Sequence, residues 1–119
     1  MDVNGAVGAL SALAQSSRLD VFRLLVRTGP LGLAAGEIAD RLSIPANTLS
    51  FHLAQLSRAG LVTPRRAGRS IFYAADYAGM QALLDFLVEN CCEASSGCAP
   101  AVPTKERNSD GVQGRRRRR

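Results

Sequence analysis

Three cysteines occur in the 119-residue chain, and all of them fall in one short stretch as Cys91, Cys92 and Cys98. Thiolates are soft ligands, and with no histidine nearby to harden the set the trio favours a thiophilic centre. Trivalent arsenic or antimony, which takes three sulfurs in a pyramid, suits that count, whereas tetrahedral zinc wants a fourth ligand. Softness alone also admits cadmium, lead and mercury. Adjacent residues on an ideal helix point about 100° apart, so Cys91 and Cys92 converge only if the helix carrying them frays. Ser95-Ser96-Gly97 is a segment able to turn Cys98 back toward them. Two other readings compete: incidental thiols that pack as small hydrophobes, and a redox switch of neighbouring thiols. A thiol enzyme or metal carrier is a third, but an enzyme needs a general base beside the thiol. Near these cysteines the sequence offers only Glu89 and Glu93.

A second stretch able to do chemistry is Pro45 to Gly60. Leu49, Leu53 and Leu56 recur at helical spacing and make one narrow apolar stripe. The complementary face carries Asn47, Thr48, Ser50, Phe51, Gln55 and Arg58. Most of these are short neutral donors and acceptors, where a merely solvated face would hold Glu and Lys. That composition suits a helix that reads DNA. Thr48, Ser50 and Gln55 would meet base edges, with Asn47 on the same face, and Phe51 is better placed to meet a thymine methyl than to fill a core. His52, the single histidine, is expected between core and DNA, bonding a backbone or phosphate group rather than a metal. Gly60 is placed to end the helix in a left-handed cap.

The elements that must position these residues follow from periodicity. Asn4 to Gln15 reads as a first helix with Val7, Leu10 and Leu13 as its apolar repeat among small residues that permit close helix approach. Ser17 can cap a second helix, Arg18 to Arg27, which Gly29-Pro30 stops. A third helix spans about Ala35 to Leu42, with Ile38, Ala39 and Leu42 inward. The tight link Ser43-Ile44-Pro45-Ala46 then makes a helix-turn-helix with the 45–60 helix. Leu61 to Arg66 reads as a strand, Ala67-Gly68 as a turn and Arg69 to Ala74 as the returning strand. Pro64 confines its strand to a sheet edge. This ribbon is a wing whose tip offers Arg65, Arg66 and Arg69 to phosphates, or else a solvated strand edge. Asp76 caps a last helix from Tyr77 to about Cys92, with Met80, Leu83, Leu84, Leu87 and Val88 at helical spacing.

The chain's net charge of +5 is a property of its end. Residues 1–98 hold eight arginines against eight acidic residues, so the excess lies wholly in 99–119. A DNA argument therefore rests on the clustering of Arg65, Arg66 and Arg69, not on the pI. We read residues 1–98 as one winged helix-turn-helix domain and 99–119 as a disordered basic tail. The tail is a nonspecific polycation adding salt-dependent affinity at most. No apolar run reaches the roughly 18 residues of a membrane span. No basic segment precedes an apolar one at the N-terminus, so a cytoplasmic protein with reduced thiols is expected.

In order and spacing the chain, over about residues 5–98, resembles the ArsR/SmtB family of winged-helix repressors. The resemblance is carried by Thr48-Leu49-Ser50-Phe51-His52-Leu53, Leu56 and Ala59-Gly60-Leu61-Val62. Arg18-Leu19, Glu37-Ile38-Ala39 and Gly68-Arg69 add to it. It implies a mainly α winged helix-turn-helix with a two-stranded wing, dimeric through its first and last helices. It implies a non-enzymatic repressor on a palindromic operator in double-stranded DNA, with no required cofactor. Arsenic-sensing members often carry cysteines on the recognition helix, which this chain lacks. Its cysteine pair and third cysteine after the last helix resemble another branch of arsenic-responsive repressors. Zinc-sensing members use Asp and His on the last helix, where no His occurs here. The expected inducer is As(III) or Sb(III), held by Cys91, Cys92 and Cys98.

Overall fold

The computed structural model describes residues 1–94. Met1–Leu87 forms one unit and the chain from Val88 onward a second. Cys98 and the expected tail, 99–119, lie outside the described residues.

Helix α1 (Val3–Leu13) starts where the Asp2 carboxylate accepts from the Gly5 amide at 2.7 Å. Its inward face is Ala6, Ala9 and Ala12, from the small residues expected to permit close helix approach. Val7 and Leu10 are exposed, and Leu13 is only partly buried. The physical reason is clearance: methyl-sized side chains let α1 approach its neighbours closely, so the small face goes in and the large one stays out. Helix α2 (Ser16–Thr28) is capped by the Gln15 side chain, which accepts from the Arg18 amide at 2.9 Å, rather than by Ser17. Val21 and Leu25 of α2 are fully buried, and Gly29 ends it at φ 104° as expected.

A two-residue strand, β1 (Leu33–Ala34), was not anticipated; it pairs antiparallel with a later strand in the order β1-β3-β2. The wing is thus a three-stranded sheet, not a two-stranded ribbon. Two residues carry too little alternation to register as a strand. What places β1 is Gly32, at φ 75°, whose missing side chain lets the backbone lie against the Tyr73 carbonyl.

Helix α3 (Ala35–Leu42) has the expected bounds, and Ile38 is fully buried. Ser43, left-handed at φ 55°, turns the chain into α4 (Ala46–Arg58). Gly60, at φ 80°, follows α4 as foreseen, with Leu61 bonding back to the Leu56 carbonyl at 3.0 Å. Strands β2 (Val62–Ala67) and β3 (Ser70–Ala75) pair antiparallel from Val62↔Ala75 to Ala67↔Ser70. The turn is Gly68-Arg69 rather than Ala67-Gly68, because Gly68 supplies the positive φ (63°) that a two-residue hairpin requires. Pro64 does sit on an edge strand.

Asp76 caps α5 (Tyr77–Val88) by accepting from the Gly79 amide at 2.9 Å. The Tyr77 hydroxyl donates to the Val26 carbonyl at 2.9 Å, tying the start of α5 to α2. Helix α5 stops four residues short of the expected Cys92. The nearby left-handed residue Asn90 (φ 60°) explains why, since Asn tolerates that conformation and it breaks helical bonding. The core is a single cluster of Val21, Leu25, Ile38, Leu49, Leu53, Leu56 and Leu61 with smaller neighbours. Truncating such a leucine to alanine costs about 2–5 kcal/mol.

Candidate nucleic-acid interface

The leucine stripe decides how α4 is held. Leu49, Leu53 and Leu56 are each at most 2% exposed, so this face locks against the core. The opposite face is thereby fixed outward. Asn47, Thr48, Ser50, Phe51 and Arg58 are exposed and Gln55 is half-buried. Phe51 stands out at 58% exposed, a large aromatic ring that folding leaves in water. A rigid helix with a neutral, hydrogen-bonding outer face has the form needed to enter a major groove.

His52 does not belong to that face. It is 6% exposed and sits on the flank of the leucine stripe, at the border between the core and the outward face. The helical wheel places residue 52 between the stripe and Thr48, and packing took it inward. Burial penalises its charged form and the Arg18 guanidinium repels a proton further, so its pKa lies below 6.5. Its Nδ1 has no hydrogen-bond partner among the described residues.

The wing arginines do not form one patch. Successive strand residues point to opposite faces, so Arg65 shares a face with its cross-strand partner Phe72 and Arg66 shares the other with Ile71. Arg65 is engaged: its Nη2 donates to the Leu31 carbonyl at 2.8 Å, and its guanidinium lies 5.1 Å from the centre of the Phe72 ring. Such a stacked cation contributes about 0.5–1 kcal/mol. Arg65 therefore braces the wing against the loop before β1. Arg66 and Arg69 are exposed without an ion pair among the described residues, and they are the arginines available to phosphates. The engagement of Arg65 has no sequence signal, because Leu31 and Phe72 meet it only through strand register.

In the second unit, Cys91 and Cys92 lie in a turn after α5, with Cys92 left-handed at φ 62°. Their sulfurs are 3.6 Å apart. Cys91 is a free, exposed thiol, and Cys92 is disulfide-bonded. Cys98 is outside the described residues, and among those described no cluster of three metal-ligating side chains occurs.

Comparison with known proteins bears on this geometry directly. A helix-turn-helix domain family model matches residues 13–65, the span from the end of α1 to the middle of β2. The transcriptional activator HlyU of Vibrio cholerae is 33% identical over 90 residues, covering 76% of this chain and 81% of that protein. Its solved structure superposes with a TM-score of 0.58 over 77% of this chain and 99% of HlyU. A form described as reduced HlyU, 32% identical over 75% of this chain and 90% of that one, gives 0.56. A possible transcriptional regulator for arsenical resistance is 30% identical over 66% of this chain and 79% of its own, with a TM-score of 0.59. A homodimeric winged helix-turn-helix domain from Mycobacterium bovis is 25% identical over 82% of this chain and 90% of its own, with a TM-score of 0.60. These relatives are regulators of transcription by name, not enzymes. With an outward-facing reading helix, a wing and a third-identical relative over most of its length, the chain belongs to the ArsR/HlyU type of winged-helix transcriptional regulators.

Proposed function

We propose that the protein is a cytoplasmic, homodimeric repressor, released from DNA when Cys91, Cys92 and Cys98 bind As(III) or Sb(III). The observation that carries the inducer reading is the convergence of two sulfurs. Metal–sulfur bonds of about 2.3 Å limit two sulfurs on one ion to about 4.6 Å apart, and those of Cys91 and Cys92 are 3.6 Å apart. The helix ends before the cysteines, which removes the roughly 100° divergence that would keep them apart. In this scheme the disulfide at Cys92 is first opened to two thiols by two electrons from a cytoplasmic thiol reductant, since a metalloid is taken up by thiolates.

Two unpartnered apolar faces support the dimer. Val3, Val7 and Leu10 of α1 and Leu84 and Leu87 of α5 are all exposed. A symmetric dimer places two copies of α4 in successive major grooves, so the operator is an imperfect palindrome with half-sites about 34–36 Å apart. Thr48, Ser50, Phe51 and Gln55 read bases, and Arg66 and Arg69 hold phosphates. Near-complete release needs about 5.5 kcal/mol of differential affinity between the bound and free forms. A gel shift with upstream DNA tests the scheme. Cys91→Ser retains operator binding and loses arsenite-driven release; release that persists in the triple Cys→Ser protein refutes it.

A second reading, thiol oxidation as the signal, draws on the disulfide at Cys92 and on a relative solved in a form described as reduced. Peroxide or polysulfide would then release the operator with arsenite absent. The same assay separates the two.

A further inference from the structure

The end of the reading helix opposite its entry turn borders an open concavity of about 470 Å³. It is lined by two arginines, Arg18 in the first turn of α2 and Arg58 at the end of α4, together with Gln55 one turn earlier on α4. Ser11 adds a hydroxyl, and Ala12, Ala59 and Gly8 complete the lining. A side chain at Gly8 would meet nothing within 4 Å. No acidic side chain lines the concavity, and neither arginine has an ion pair among the described residues. The Nε of Arg18 is buried with no acceptor. The lining therefore offers donors and positive charge with no acidic side chain of its own to meet them.

We propose that this concavity is an effector site for a small organic anion, a carboxylate or phosphate monoester held by Arg18, Arg58 and Gln55. Size and shape favour a small molecule over the DNA backbone. The volume falls in the range of small-ligand pockets, about 300–1,000 Å³, and the recess is lined by apolar Ala12 and Ala59 beside its polar groups. Planar guanidiniums bind carboxylate and phosphate oxygens in paired hydrogen bonds. Gly8 lies about 100° or more around α1 from each member of the Val3–Val7–Leu10 stripe, whereas Ser11, one turn after Val7, borders it. Gln55 and Arg58 belong to α4 and Ala59 is its C-cap, so occupancy bears on the helix that reads DNA. The coupling has a local reporter, because the charge of Arg18 reaches His52 on the same helix. An anion on Arg18 cancels that charge and lets the His52 pKa rise. The proposal is independent of the cysteines and of any inducer bound by them.

The test uses the full chain, labelled for NMR, titrated with inorganic phosphate, glycerol phosphate and acetate against chloride at matched ionic strength. Saturable shifts at the amides of Ser11, Gln55 and Ala59 are expected, together with a raised His52 titration midpoint. Arg58→Gln, exposed and so able to fold, weakens the response at least 10-fold. Gly8→Leu fills the recess without changing charge and abolishes it. Shifts that grow linearly, match those with chloride, or survive in both variants overturn the proposal. So does a result in which no free anion binds yet Arg58→Gln weakens operator binding and lowers its salt dependence, which assigns Arg58 to a DNA phosphate.

Discussion

Gly8 and Gly79 both lie inside helices, and replacing each with alanine should move stability in opposite directions. Intrinsic propensity favours alanine over glycine by about 0.8–1 kcal/mol in a helix interior, which from sequence alone makes both changes stabilising. At Gly8 the new methyl meets nothing within 4 Å, so the gain of about 0.5–1 kcal/mol is realised. At Gly79 the methyl would overlap the Gly60 carbonyl oxygen. That neighbour is backbone, and it belongs to the left-handed turn that ends the reading helix, so it cannot rotate aside. Overpacking of this kind costs about 1–3 kcal/mol. Gly79 is in the first turn of α5, where the propensity gain is smallest, and the net effect is about 1–2 kcal/mol destabilising. The two alanine variants then differ by about 1.5–3 kcal/mol. A domain of 60–100 residues shifts its Tm by about 4–8 °C per kcal/mol, so thermal unfolding at matched protomer concentration separates them by about 6 °C or more. A Gly79→Ala protein that melts at or above the wild-type temperature refutes the close approach of α5 to the turn after α4.

Two further predictions concern the wing and the buried histidine. Arg66→Ala weakens operator binding across sequences and lowers the salt slope by about 1, with Tm unchanged. Arg65→Ala instead loses about 0.5–1 kcal/mol of stability with its contacts to Phe72 and the Leu31 carbonyl, and denaturant titration distinguishes the pair. The His52 pKa is depressed in the folded protein, so the unfolded chain binds the proton more readily. Its contribution to stability is complete above the unfolded pKa of about 6.5 and declines as pH falls through that value toward the folded one. Urea midpoints measured between about pH 7.5 and 5 show this slope, and His52→Asn flattens it; an unchanged slope refutes the assignment.

The amino-acid sequence by itself determined the order of the helices, the helix-turn-helix, the edge position of Pro64 and the outward face of α4. These follow from local rules: a leucine every third or fourth residue, Gly29 and Gly60 where left-handed backbone ends a helix, and Asp76 where a carboxylate meets orphan amides. It also pointed to the cysteine cluster, since three soft donors in one short stretch need no fold to be noticed. Only the tertiary structure decided which of two faces α1 buries, because Ala6, Ala9 and Ala12 win by fitting close to their neighbours and not by hydrophobicity. Only it drew β1 into the sheet, through a pairing nearly forty residues away in sequence, and turned His52 inward at the edge of a stripe where one helical step separates core from surface. The wing arginines show the difference most sharply. As a string they are one basic cluster; the pleat and the register of β2 on β3 send Arg65 to Phe72 and leave Arg66 and Arg69 to solvent, because a strand alternates its faces and a sequence does not show which partner lies across.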